Sequence, residues 1–342
     1  MIRTLWRKLI DPLDGPLMAL IGLLLAVGLI AMASAAPARL ATVLTHIGIA
    51  LVVMRVVAQI PPQRLMQLAL PLYLLGVVLL VAVALFGDIA KGAQRWLDLG
   101  FIRGQPSELM KIALPLMLAW YFQKHEALLR WREYAAAALI LLVPVVLILR
   151  QPDLGTAILI FAAGFFVILL AGLPWKIIGG LAAAAATAAP FAWHLLHDYQ
   201  RQRILMLLDP ERDPLGKGWN QGTQAQLNFL PERHTDFIFA VFSEEFGLLG
   251  NFVLLVLYAL LIGRGLRIAA QAATLFGRLL AGALALILFT YVFVNLGMVS
   301  GILPVVGVPL PLISFGGTAM VTLFLGFGIL MSINRNRMLV QK

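Results

Sequence analysis

Cysteine is absent from the 342 residues, which excludes a disulfide, a thiolate nucleophile and any cysteine-ligated metal. Histidine is scarce. Its five copies are scattered, with no His-Glu-x-x-His spacing, so a dedicated zinc site has no ligand set to draw on. Neither a GxxxxGK[ST] phosphate loop nor a strand followed by GxGxxG occurs, which disfavours nucleotide hydrolysis. Charge is the largest deficit. Only 12% of residues are Asp, Glu, Lys or Arg, against roughly 25% in a soluble domain, so half the polar surface of a water-exposed fold is missing.

Apolar residues stand in its place, 61% of the chain, with a mean hydropathy of +0.94. Long apolar runs recur and read as ten membrane spans: 17–35, 40–57, 68–86, 109–122, 134–149, 154–172, 177–195, 246–262, 279–299 and 312–333. The fourth and fifth are short and extend into their polar flanks. The fold expected is an all-α integral membrane bundle, with residues 1–342 as one transmembrane domain. Arg3, Arg7 and Lys8 before a run ending Ala33-Ser34-Ala35 imitate a cleavable signal peptide, but with so many later spans an uncleaved first helix is the better reading. No internal repeat is visible, so an inverted-repeat transporter finds no support.

The net charge of +10 follows largely from orientation. With the N-terminus inside, fifteen of the 26 basic residues fall on inner segments, so both termini are expected in the cytoplasm. Ten-span parity then puts two long loops outside, 87–107 and about 197–245, the second between spans seven and eight. Loops of that length are usually functional or disordered. The apolar stretch 301–311, broken by Gly and Pro, is a third irregularity on the outer side, and non-helical backbone at membrane depth survives only inside protein or beside a wet cavity.

Several ionisable residues need explaining, because a charge in mid-span costs roughly 2.5–3.5 kcal/mol on insertion scales. Glu108 and Lys111, three residues apart at the outer start of span four, share a helix face. They read either as a local pair behind a Ser107 cap or as a cavity wall offering a cation to an anionic substrate. Asp153 opens span six after Gln151-Pro152, as a helix cap or as a site residue. Asp236 precedes an apolar run and admits the same two readings. Parity alone brings Arg103, Glu108, Lys111, Asp153, Arg233, His234 and Asp236 to one membrane surface. Mixed charge there suits a substrate with an anionic head group and a lipid tail: Arg and Lys to hold phosphate, a carboxylate to take a proton. From the residues alone the chain is a membrane enzyme or transporter acting on an anionic amphiphile at the outer face.

Five strings carry this further: Arg95-Trp-Leu-Asp-Leu-Gly100, Gln105-Pro-Ser-Glu-Leu-Met-Lys111, Gln151-Pro-Asp-Leu-Gly-Thr156, Phe229-Leu-Pro-Glu-Arg-His-Thr-Asp-Phe-Ile-Phe239 and Pro304 through Gly317. In this order they resemble the SEDS family of shape, elongation, division and sporulation proteins. Arg233 and the Ser243-Glu-Glu-Phe-Gly247 string look like its elongation branch rather than its division branch. The resemblance implies a peptidoglycan glycosyltransferase in the bacterial cytoplasmic membrane, polymerising lipid II at the outer face for elongation and rod shape. It implies as partners a class B penicillin-binding protein and other elongation-machinery membrane proteins, with no nucleic acid, and a divalent cation, Mg2+ or Mn2+. Asp236 matches the family's essential aspartate; Glu108, Lys111 and Asp153 match its cavity residues. Arg103, Glu232 and His234 complete the expected substrate-binding set, and no metal ligands are assigned.

The chemistry suits these residue types. A glycosidase needs two carboxyl groups because its alkoxide leaving group needs an acid. An undecaprenyl diphosphate leaves without protonation, so one carboxylate base, acting on the acceptor 4-hydroxyl, suffices. Charge growing on the diphosphate is offset by Lys111, Arg103 or a divalent ion. The α-linked donor and β-1,4 product imply inversion. The alternative is a lipid II flippase, since a polar cavity with paired charges also suits transport.

Overall fold

The computed structural model describes residues 13–90, 93–98, 103–126, 130–180, 183, 187, 217–219, 235–303, 305–314 and 316–338. The chain is mostly helical: α1 (Gly15–Ala35), α2 (Leu40–Val57), α3 (Pro62–Phe86), α4 (Pro106–Lys124), α5 (Trp131–Leu149), α6 (Leu154–Leu170), α7 (Ile238–Ala270), α8 (Leu275–Val299) and α9 (Gly317–Arg335). Seven helical segments are long and apolar enough to cross a membrane. At 1.5 Å per residue, 20 residues reach about 30 Å, the thickness of the hydrocarbon core. The two described helices that miss the criterion are informative. Helix α4 carries Glu108, Lys111 and Lys124, and α6 has 17 residues. Both carry candidate site residues at their N-terminal ends.

Nine of the ten expected runs overlap α1–α9. The other, 177–195, lies mostly outside the described residues, after a helical stretch at 175–180. Helices α4 and α5 do extend into their polar flanks. Helix α7 begins eight residues before the expected 246, because apolar residues resume at Ile238; it kinks at Gly247 (φ 58°, ψ −157°). Helix α9 begins at Gly317 instead of 312, since Pro309, Pro311 and a left-handed Leu312 (φ 65°) hold the preceding backbone out of helix.

One departure from an all-helical chain is a small antiparallel ribbon in the first long loop. Strands β1 (Asp88–Ala90), β2 (Ala93–Asp98) and β3 (Arg103–Gly104) pair in that order, with Leu97 opposite Gly104 and Asp98 opposite Arg103. Apolar periodicity could not show it, because the ribbon has no apolar face of helical period to display.

Helices α4 and α8 form the centre. From Pro106 to Phe122, α4 is buried almost all round, and α8 is buried over most of its length. Around them α1, α2, α3 and α7 keep apolar faces outward, such as Leu74, Val78 and Leu85 on α3 and Leu248 and Phe252 on α7. Apolar surface facing outward is what a lipid solvent requires, and helices there associate through close packing and hydrogen bonds.

The 305–314 stretch is not helical, and several of its backbone polar groups find partners inside the protein. Tyr258 Oη donates to the Pro311 carbonyl (2.5 Å), Asn295 Nδ2 to the Val308 carbonyl (2.6 Å), and Leu310 N to Ser314 Oγ (2.7 Å).

Candidate active site

Asp153 caps α6. Its Oδ1 accepts from Thr156 N (3.2 Å) and its Oδ2 from Thr156 Oγ1 (2.9 Å), so one helix N–H and one hydroxyl fix the carboxylate. Arg95 on β2 reaches it as well, with Nε 3.3 Å from Oδ2. Arg95 was not among the residues expected to bind substrate, and no spacing rule would find it, since only the ribbon's docking carries it to α6. The carboxylate is 4% exposed and both oxygens are engaged. The cap reading of Asp153 holds.

Ser107 does not cap α4. Gln105 takes that position, without a side-chain bond, and Ser107 is buried one residue inside the helix. The Glu108–Lys111 pair does form: Nζ lies 2.6 Å from Glu108 Oε1. It also lies 5.2 Å from the centre of the Tyr291 ring on α8. Such a cation over an aromatic face is attracted to it, the more so when desolvated. Lys111 is buried, so its ammonium does not reach out to a substrate in this conformation. Burial also leaves Glu108 Oε2 without a hydrogen-bond partner among the described residues, an acceptor facing the protein interior. Beneath the pair is a cavity of about 30 Å³ lined by Ile112, Leu284 and Phe327 among others.

The cap reading of Asp236 is overturned. Phe237 occupies the N-cap of α7 without a side-chain bond, and Asp236 lies one residue outside the helix, in a turn. Asp236 is half-buried. Its Oδ2 faces Gly307 so closely that a Cβ at that glycine would stand 3.4 Å away, and Gly307 has φ +66°, which a glycine adopts without strain. The same stretch passes Gly155 on α6, where an added Cβ would collide with the Val306 carbonyl. The 306–308 backbone therefore threads between the capped end of α6 and the carboxylate of Asp236.

Helix α8 sets the spacing between these groups. Tyr291 covers Lys111, while Asn295, one turn on, donates to the backbone carbonyl of Asp236 (2.9 Å). One turn separates those two side chains by about 6 Å along the helix. Beside them, an apolar groove of about 340 Å³ runs between α6 and α8, lined by Ile158, Phe166, Phe293, Leu303 and Val306 among others. Its size falls at the lower end of the range of small-ligand pockets.

The remaining candidates are less well defined. Arg103 supplies backbone to β3, while its side chain, with Glu232, Arg233 and His234, lies outside the described residues. Among the described residues no three His, Asp or Glu side chains gather as a metal site. The oxygens of Asp153 are engaged by Thr156 and Arg95, and Glu108 is paired with Lys111, so these carboxylates do not form a ready divalent-cation site.

Comparison with known proteins matches this architecture. The family model FTSW_RODA_SPOVE, described as "Cell cycle protein", matches residues 16–339. Peptidoglycan glycosyltransferase MrdB of Escherichia coli is 54% identical over 317 residues, covering 87% of this chain and 86% of its own. The crystal structure of the rod shape determining protein RodA of Thermus thermophilus superposes with a TM-score of 0.76 at 34% identity, over 95% of this chain and 97% of that one. A chain from a solved peptidoglycan synthase complex coordinating polymerization and crosslinking gives a TM-score of 0.78 at 36% identity, over 95% and 98%.

Proposed function

The chain belongs to the FtsW/RodA/SpoVE family of cell-cycle proteins and is a peptidoglycan glycosyltransferase, and from that premise we propose how its site performs the transfer. The observation that carries the reading is the position of Asp236. It stands half-buried in the turn entering α7, with Oδ2 against the Gly307 turn and its backbone carbonyl held by Asn295. Asp236 takes the proton of the acceptor sugar's 4-hydroxyl. The oxygen attacks C1 of the donor sugar on the opposite face from the leaving group, the C1–oxygen bond to the undecaprenyl diphosphate breaks, and the configuration inverts. The diphosphate departs as an anion, so no second carboxylate is needed as acid.

Lipid II is the donor, and the apolar groove between α6 and α8 suits its isoprenoid tail. Arg103 meets the diphosphate in this proposal, with Glu232 and His234 completing the contacts from the segment before Asp236, while Arg95 on the ribbon holds Asp153. The buried Glu108–Lys111 pair acts one layer below, holding α4 against Tyr291. No step runs through a metal. A requirement for Mg2+ or Mn2+ belongs to the diphosphate substrate, and polymerisation that is unchanged after exhaustive chelation would remove it from the proposal.

The chain crosses the bacterial cytoplasmic membrane ten times with both termini inside, which puts Asp153, Asp236 and the ribbon at the outer surface where the polymer is built. A class B penicillin-binding protein is its crosslinking partner, in line with the synthase complex it resembles, and other elongation-machinery membrane proteins complete the assembly that maintains rod shape.

Purified protein with lipid II in detergent tests the reading. Wild type should make glycan with no compartment present, which a flippase would not. General-base catalysis is worth about 10²–10⁴-fold, and Asp236→Asn should lose that much polymerisation while keeping its thermal midpoint. Substantial glycan from folded Asp236→Asn protein would move the base to Glu232 or Asp153.

A further inference from the structure

Asn295 is a fully buried amide in the most enclosed helix of the bundle, and it does not serve its own helix. The other buried polar side chain of α8, Thr290, donates to Leu286 within the same helix. Asn295 instead spends its Nδ2 hydrogens on two carbonyls from distant parts of the chain, Asp236 (2.9 Å) and Val308 (2.6 Å). With acceptors at both positions, the amide orientation is settled: nitrogen faces them, and Oδ1 points away. Oδ1 is buried and has no hydrogen-bond partner among the described residues. A buried acceptor left unmatched in a packed helix interior demands a reason. The reason available here is that the two donated bonds hold something whose position matters.

What they hold is the two walls around one carboxylate. The carbonyl of Asp236 is on the turn entering α7, and that of Val308 follows Gly307, the residue that Asp236 Oδ2 faces. We propose that Asn295 is the positioning residue of the reaction: its amide pins the Asp236 turn to the Gly307–Val308 backbone and so fixes where the carboxylate meets the acceptor hydroxyl. This rests on Asp236 being the base. Asn295 touches no substrate and acts through Asp236, so its removal should displace the carboxylate without changing how tightly lipid II binds. A base displaced by about 1 Å loses on the order of 100-fold in rate.

The test is steady-state polymerisation by the purified full chain with Asn295→Leu, similar in volume without donors, and Asn295→Ser, which restores one donor. The expected result is a fall in kcat of roughly 10–100-fold for Asn295→Leu, with KM for lipid II within about twofold and the detergent thermal midpoint kept. Asn295→Ser should recover part of the kcat. Wild-type kcat in either folded variant overturns the inference, as does a loss appearing in KM instead. Failure of both variants to fold would make Asn295 a scaffold residue and overturn it too. Asp236→Asn, assayed alongside, separates the two claims. If that variant polymerises, the base assignment fails first; if it is inactive while the Asn295 variants behave as wild type, only the positioning role fails.

Discussion

At the scale of single residues, ionisable groups of similar appearance in the sequence have different jobs. Asp153 and Asp236 both precede apolar runs, and both resemble caps. Only Asp153 is one, with both oxygens taken up by Thr156 and Arg95. From the sequence Lys111 suits a phosphate ligand, and the structure buries it between Glu108 and Tyr291. Its substitution therefore has a stability component. Breaking a buried pair by removing one partner costs about 3–5 kcal/mol, and Lys111→Met strands Glu108 in that way. Lys111→Met should lower polymerisation about 100-fold by letting α4 shift, since a misplacement of about 1 Å at a site costs on that order. Adding Glu108→Gln should recover thermal midpoint more than activity, and the double-mutant cycle measures the coupling. Near-normal activity in Lys111→Met would leave the residue with a packing role alone.

At the scale of elements, the helices are held at both ends by polar contacts between segments far apart in sequence. Near the site, the kink at Gly247 opens backbone carbonyls of α7, and Lys217 N and Gly218 N donate to those of Glu244 and Glu245 (2.9 and 3.0 Å). A backbone inserted into the helix ladder is an identifiable cause of a bend. Glu245 also accepts from Ser34 on α1, tying the bent half of α7 to its neighbour. At the opposite end, Asp14 caps α1 through Leu17 N and receives Arg264 of α7 at 3.0 and 2.5 Å and Asn334 of α9 at 2.7 Å.

Burial alone would raise the pKa of Asp14, but the Arg264 hydrogen bonds, the Leu17 amide and the nearby cations hold it below the ordinary carboxylate value. A carboxylate with a lowered native pKa stabilises the fold fully above the unfolded value of about 4, and that stabilisation is lost as pH falls through the native pKa. Asp14→Asn keeps a cap and loses the charge, so it should cost on the order of 1 kcal/mol at pH 7. The gap to wild type in thermal midpoint should hold from pH 7 to about 5 and narrow as pH falls below about 4. A gap independent of pH would assign the effect to shape instead of charge. Polymerisation at pH 7 should change little in any Asp14→Asn protein that stays folded, since the site is at the other end of the helices.

At the scale of the whole molecule, one polar end carries Asp153, Asp236 and the ribbon, and the other carries Asp14, Arg264 and Asn334. The functional reading needs the first end outside. Reporter fusions after Lys8, within 124–132 and after Arg337 should report cytoplasm, and a fusion near Arg212 the outside. A cytoplasmic signal near Arg212 would contradict assembly of the polymer by this site, because the glycan is built beyond the membrane.

The sequence by itself determined the solvent, the helical class and the places where most helices lie. Those are local or additive properties, read from hydropathy over about twenty residues and its recurrence along the chain. It also marked Asp236, Glu108, Lys111 and Asp153 as residues to explain. Only the tertiary structure decided which of them is a cap, which is paired and which faces a glycine turn. It alone brought Arg95 to Asp153, Tyr291 to Lys111 and Asn295 to the Asp236 backbone. Those meetings depend on the rotation of each buried helix about its axis. On α4 and α8, which are apolar and enclosed on nearly every side, no hydrophobic stripe exists from which that rotation can be read.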